Sequence, residues 1–383
     1  MFQEGTTLLD MVDSFDFEKP HQILAAKVNN VVQGLKYRAF NSRDVEFLDY
    51  TSYSGRSVYC RSLCLLLCKA AKDVFPDCRI VLRRPISKGY YCAIDKGDGS
   101  VFTEDDLMQV DRRMKEISEA DLPFKRHEVR LEEAIELFST LGYTDKVKLL
   151  QTASDVYTYY YTLDGSPDYY YDALVPSTGY VRLWGLSMFK GGILMRVPNR
   201  HNPAQLAPCV EQPKTFEVFK ESLYWNRIMG LDNAGDVNMA CKRGEAPDLI
   251  KVAEALQEKK IVQIAEEIDR RVHCNEPVRI VLITGPSSSG KSTFCRRLSI
   301  QLKACGIKPI SFSTDDYFVN RLDTPVLPDG SYDFDNFDTV DHEYLQNDVL
   351  RLLSGECVEV PEYNFVTGMR EFNGKKLRLE PGT

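Results

Sequence analysis

Apolar and polar positions alternate along this chain with two periods, and each period predicts a different kind of element. Leu107, Val110, Met114 and Ile117 recur at helical spacing behind Thr103-Glu-Asp-Asp106, a capping-box-like start, and predict a helix. Leu131 to Leu141 predicts another, stopped by Gly142. Ala246 to Cys274 predicts a long charged helix with Ile261, Ile264, Ala265, Ile268 and Val272 as its stripe, broken at Asn275-Glu-Pro277. Val278-Arg-Ile-Val-Leu-Ile-Thr284 is instead a short continuous apolar run, the pattern of a strand covered on both faces in a parallel sheet. Pro309-Ile-Ser-Phe-Ser-Thr314 predicts a second such strand. Between them Phe294, Leu298, Leu302 and Cys305 predict a helix, with Gly306 where a C-cap belongs. Seven tyrosines lie between Tyr157 and Tyr171 around Leu163-Asp-Gly-Ser-Pro167, which predicts a hairpin turning at Asp164-Gly165. Cross-strand packing accounts for the tyrosines more cheaply than base stacking does.

The loop between the first predicted strand and its helix reads Gly285-Pro-Ser-Ser-Ser-Gly290-Lys291-Ser292-Thr293, the spacing G-x-x-x-x-G-K-[ST]. Strand, glycine loop and helix together are the context in which this pattern means a phosphate-binding loop. Gly285, Ser287, Ser288, Ser289, Gly290, Lys291, Ser292 and Thr293 are therefore the candidate nucleotide-binding residues. Backbone N–H groups and the helix N-terminus face phosphate oxygens. Lys291 supplies a point charge at the β- and γ-phosphates, and the Ser292 hydroxyl a ligand for Mg²⁺. ATP and Mg²⁺ are the expected cofactors. Asp315 and Asp316 close the second predicted strand, where ligands of open α/β sheets bind. A carboxylate there can take a proton from an acceptor hydroxyl or help hold Mg²⁺.

Composition narrows the picture. The 383 residues are 43% hydrophobic, enough for two or three domains with true cores. A net charge of −8 argues against nucleic acid as a general partner, while leaving a local basic patch in the N-terminal half open. No membrane-length apolar run or signal-peptide pattern occurs, so a cytoplasmic protein without a membrane partner is expected. The eleven cysteines form no C-x-x-C pair and read as reduced, mostly buried thiols. Cys60, Cys64 and Cys68 share one helix face, which predicts packing among leucines over metal binding.

Two resemblances add to this reading. Glu4-Gly-Thr-Thr-Leu-Leu-Asp10, Ala25-Ala-Lys-Val-Asn29 and Asp44-Val-Glu-Phe-Leu48 resemble a TGS domain, a β-grasp module, whose first hairpin would precede Met1. Phe102–Leu107, Arg112–Glu116 and the Glu132–Phe138 helix resemble the editing-type domain of threonyl-tRNA synthetase. In that family an H-x-x-x-H pair and a later C-x-x-x-H pair carry the chemistry. Here the four positions read Arg61, Leu65, Tyr170 and Leu174, which cannot replace imidazole and thiolate. An editing-like fold without editing chemistry is expected, serving binding, regulation or assembly, with a homo-oligomer left open.

Thr314-Asp-Asp-Tyr-Phe318, Asp333-Phe334-Asp335-Asn-Phe-Asp338 with Val340-Asp341, and Val360-Pro-Glu-Tyr363-Asn-Phe365 resemble uridine/cytidine kinases of the uridine kinase–phosphoribulokinase group. The resemblance implies ATP-dependent phosphorylation of a nucleoside 5′-hydroxyl, as in pyrimidine salvage. It implies Asp315 and Lys291 as catalytic residues and Ser292 and Asp315 at the metal. Asp335 would hold the ribose diol, and Phe318, Phe334, Tyr363 and Phe365 the base. Gly368 stands where that family has a base-contacting histidine. The kinase region from Pro277 has about 107 residues, short for a doubly wound domain with a lid, so a chain ending before its last strands is expected. Arg370, Lys375, Lys376 and Arg378 read as a solvated terminal segment rather than a lid. Phosphorylation of another sugar alcohol, as in phosphoribulokinase, remains an alternative, as does a non-catalytic nucleotide-gated RNA- or tRNA-binding protein. The expected fold is multidomain, α+β and α/β. It comprises a TGS-like β-grasp module over 1–52, an editing-like α+β domain over 53–225, a helical connector over 226–276, and a parallel-sheet P-loop kinase domain over 277–383.

Overall fold

The computed structural model describes residues 3–14, 21–41, 43–210, 212–274, 277–286, 288–327, 330–334 and 336–380. They form two compact units, Met1–Ala246 and Pro247–Thr383, and the division falls inside the connector expected over 226–276.

The first unit opens with β1 (Thr6–Thr7) and α1 (Leu8–Ser14), followed by β2 (Ala25–Val28), β3 (Val31–Gly34), β4 (Arg38–Ala39) and β5 (Val45–Leu48). β2 lies between β3 and β5 in an antiparallel sheet, and β1 pairs with β4. Leu8, Met11, Ile23, Ala26, Val28 and Leu35 close a small core between the helix and these strands.

α2 (Tyr53–Val74) then begins at Ser52, whose side chain accepts from the Gly55 N–H. Only glycine fits at position 55, because a Cβ there would lie 1.9 Å from the Asp49 carbonyl oxygen. β6 (Arg79–Ile86), β7 (Gly89–Asp95), α3 (Glu104–Glu119), β8 (Phe124–Arg130), α4 (Leu131–Thr140), α5 (Thr144–Leu150), β9 (Tyr157–Leu163) and β10 (Ser166–Asp168) follow. After them come β11 (Gly185–Phe189), β12 (Gly192–Arg196), α6 (Pro213–Ile228) and α7 (Ala234–Lys242). The strands make two antiparallel sheets, ordered β11-β12-β7-β6 and β10-β9-β8. α2 is buried along most of its length and supplies much of the main core.

Most local expectations hold in this unit. Thr103 and Asp106 form a reciprocal capping box at α3, and Leu107, Val110, Met114 and Ile117 are all buried. Gly142 follows α4 in the left-handed conformation. The tyrosine-rich hairpin turns at Asp164 and Gly165, both with positive φ, as a type I′ turn requires. Tyr160 packs across strands, stacked on its register partner His127, while Tyr159 meets Tyr161, two residues along the same strand, edge-on.

The second unit contains α8 (Ala246–Val272), α9 (Lys291–Ala304), α10 (His342–Leu353), and four short strands: β13 (Val358–Glu359), β14 (Glu362–Asn364), β15 (Met369–Glu371) and β16 (Lys376–Leu377). Ile261 and Ala265 of α8 bury against Leu298 and Leu302 of α9, so the predicted stripe packs on the helix behind the glycine loop. Gly306 ends α9 with φ +86°, and the Ile307 N–H reaches back to the Leu302 carbonyl.

The parallel strands expected over Val278–Thr284 and Pro309–Thr314 are not formed among the described residues. Both runs are without ladder partners, and the ladders present are antiparallel, β13 with β16 and β14 with β15 in this unit. Ile280, Val281 and Leu282 are 47%, 43% and 87% exposed. The reason is physical: β-branched residues favour extended backbone, but a strand exists only where a neighbour supplies its hydrogen bonds.

Candidate active site

The glycine loop is shaped by two left-handed residues, Ser288 with φ +57° and Gly290 with φ +87°. Gly290 is the N-cap of α9 and adds no side-chain cap, so the first N–H groups of the helix keep their capacity for an anion. A Cβ on Gly285 would stand 2.9 Å from the Ser289 hydroxyl, which ties that glycine to the tightness of the loop. The Lys291 ammonium donates to the carbonyls of Gly285 and Pro286, both at 2.9 Å. It thus folds over the loop it would help to load. Ser292 and Thr293 sit exposed in the first turn of α9. Ser287 lies outside the described residues.

Asp315 and Asp316 belong to a short 3-10 turn, Thr314–Tyr317, capped by the Ser313 hydroxyl accepting from the Asp315 N–H. The neighbours differ. Asp315 is exposed, whereas Asp316 is half-buried and makes a long 3.5 Å contact with the Tyr363 N–H. The turn is anchored from below by Tyr317, fully buried, whose hydroxyl donates to Asp348 of α10 at 3.0 Å. Burial, together with that carboxylate, pushes the Tyr317 phenol well above its ordinary range.

Arg370 holds the same turn from the other side. Its guanidinium donates to the Phe318 carbonyl at 3.1 Å, the Tyr317 carbonyl at 3.2 Å and the Asp341 carboxylate at 3.0 Å. The expectation that Arg370 belongs to a solvated terminal segment is therefore corrected: its side chain is 16% exposed and joins β15 to the Asp315 turn. Its contacts come from residues about thirty and fifty positions away, which no local pattern announces.

Phe318, Phe334, Tyr363 and Phe365, the four aromatics expected at the base, line one pocket of about 260 Å³. Phe318 meets Tyr363 edge-on at 5.5 Å, and Tyr363 meets Phe365 at 5.1 Å. Arg321, Thr324 and Thr339 complete the wall with Val319, and none of these four follows from the sequence pattern. Asp335 lies outside the described residues.

Residues 280–378 match the Phosphoribulokinase / Uridine kinase family. The match supports a P-loop phosphotransferase, and it covers the glycine loop, the Asp315 turn and the aromatic pocket. ATP and Mg²⁺ fit the residues present. A helix N-terminus without a side-chain cap suits phosphate, and Mg²⁺ held chiefly by phosphates needs only one or two protein oxygens, a demand that exposed Ser292 and Asp315 would suit.

The N-terminal half is similar to threonine–tRNA ligases. That of Desulforamulus reducens is 30% identical over 188 residues, 49% of this chain and 29% of that protein. That of Azobacteroides pseudotrichonymphae is 26% identical over 178 residues, 46% of this chain and 28% of that protein. The chain thus spans less than a third of the length of these relatives. This half supports the editing-like region fused ahead of the kinase-family segment. Of the four positions named for editing chemistry, Leu65, Tyr170 and Leu174 belong to or pack against the main core. Arg61 of α2 donates to the Ala173 carbonyl at 3.2 Å and pairs with Asp172 at 3.2 Å, while Leu65 and Leu174 are buried. Burial pushes the Tyr170 hydroxyl and the Cys64 thiol well above their ordinary ranges, so both stay neutral. Among the described residues no group of three or more His, Cys, Asp or Glu is placed to hold a metal ion, and no helix is long and apolar enough to cross a membrane.

Proposed function

We propose that the C-terminal unit transfers a phosphoryl group from ATP to the 5′-hydroxyl of a nucleoside. The observation that carries this reading is the convergence of four aromatic side chains, distant in sequence, on one small apolar pocket beside the Asp315 turn. Aromatic faces stack on a planar base, whereas a sugar phosphate would call for basic walls. The loop N–H groups and Lys291 hold the phosphates and balance their charge. Ser292 and Asp315 would hold Mg²⁺, which would supply charge neutralisation at the phosphates. Asp315, exposed and anchored through Tyr317 and Arg370, accepts the proton of the attacking hydroxyl. Asp335 would hold the ribose diol. The N-terminal unit we take as a TGS-like β-grasp start followed by an editing-like domain that binds or regulates without metal chemistry. Arg61, Leu65, Tyr170 and Leu174 support that reading.

The test is ATP-dependent phosphorylation of a nucleoside panel by the full chain and its variants. Lys291→Ala is expected to abolish turnover with the fold intact. Asp315→Asn is expected to lower it on the order of 10²–10⁴-fold while ATP still binds. Damage from Asp316→Asn with a silent Asp315→Asn would overturn the choice of base. Transfer to sugar phosphates but to no nucleoside would overturn the substrate.

A further inference from the structure

Arg321 is the one charged side chain among the described residues lining the aromatic pocket. Its place is set by the β14–β15 turn. The Arg321 backbone N–H donates to the Gly368 carbonyl at 2.8 Å, and Nη2 donates to the Phe365 carbonyl at 2.6 Å. Gly368, at φ +71°, leaves the room for this: a Cβ there would stand 2.8 Å from the Arg321 Cβ and 2.9 Å from its Nε. A side chain at 368 and the present course of Arg321 exclude each other. The guanidinium carries five N–H donors and no acceptor, and the Phe365 carbonyl takes one of them.

We propose that Arg321 selects the base, so that the pocket takes nucleosides with a carbonyl oxygen, rather than an amino group, on the base edge remote from the sugar. The proposal rests on the nucleoside reading above and names its substrate class. A donor-only group in an apolar wall rewards an acceptor and penalises another donor. Uracil presents its 4-oxo group, while guanine and hypoxanthine present O6 with N7 beside it, a pair that a guanidinium fork can meet with two hydrogen bonds. Cytosine and adenine turn an amino group to the same place. Donor then faces donor, which costs binding in a wall that is mostly apolar.

Calorimetric titration of guanosine, inosine, uridine, adenosine and cytidine into the full chain tests this without relying on turnover. The oxo set is expected to bind about tenfold tighter or more than its amino counterparts. Arg321→Met, which keeps the length and removes the donors, is expected to level the two sets. Arg321→Lys, which keeps a charge but not the fork, should retain part of the preference. Equal or tighter binding of the amino set by the unaltered protein overturns the proposal even if a variant fails to fold. So does a preference that survives in Arg321→Met. Phosphorylation measured on the same nucleosides separates the two readings. Selective binding without transfer removes the kinase reading and keeps base selection, and transfer without selectivity does the reverse. Absence of binding by every nucleoside overturns both.

Discussion

At the scale of single residues, the site depends on side chains that touch no reacting atom. Arg370 binds the backbone of the Asp315 turn and the Asp341 carboxylate at once, so one guanidinium sets both the turn and the start of α10. Burial by itself would raise the Asp341 carboxyl. The Tyr344 N–H and the Arg370 guanidinium outweigh that and hold it below its ordinary 3.8. A carboxyl depressed in the folded state contributes stability above its unfolded value and loses it as pH falls through the folded one. Thermal midpoints should therefore hold from neutral pH down to roughly pH 4 and fall below it, with Asp341 contributing to the fall. Arg370→Met should make that acid decline shallower while lowering stability near neutrality. An acid limb of unchanged steepness in Arg370→Met would remove this pair from the account.

Elements show where local pattern and tertiary environment part. In α2, Cys60, Cys64 and Cys68 share a face as their four-residue spacing predicts, yet their chemistry is set by what surrounds the helix. Burial pushes all three thiols up, and it pushes Cys92 on β7 up to about 12. Thiolate is the reactive form, so these residues should resist alkylation. Iodoacetamide at mildly alkaline pH should modify the exposed Cys241, Cys305 and Cys357 of the folded protein, and Cys64 and Cys92 only after denaturation. Peptide mass spectrometry reads the order of modification. Early labelling of Cys64 would mean that the helix is not packed as described. The run Val278–Thr284 makes the complementary point: its composition is that of a strand, and without a ladder partner it forms none and leaves Ile280, Val281 and Leu282 exposed.

At the scale of the molecule, two units carry separate cores. The main core of the first joins α2 and α3 to both larger sheets and lies wholly before residue 200, while α8 packs on α9 in the second. A polypeptide of residues 1–246 should therefore fold alone and unfold in urea as one cooperative transition by circular dichroism. A gradual, non-cooperative loss of signal would show that the first unit needs the rest of the chain.

Much of this was legible in the residues because the signals act over short distances. Caps, helix stripes and positive-φ turns involve partners within about four positions. Thr103 with Asp106, Gly142, Asp164-Gly165, Gly290 and Gly306 could thus be placed from the sequence alone, and so could the phosphate-loop spacing, whereas the aromatic residues of the pocket came from the family resemblance and from no local pattern. The tertiary structure decided what depends on distant neighbours. It left the two apolar runs of the second unit without ladders, and exposed Asp315 while half-burying Asp316. It also moved Arg370 from an expected solvated tail to the anchor of the turn, and brought Arg321 to the pocket through the space that Gly368 leaves. Sequence sets what each segment can do locally, and hydrogen-bond partners and burial, which come from residues tens of positions away, select among those options.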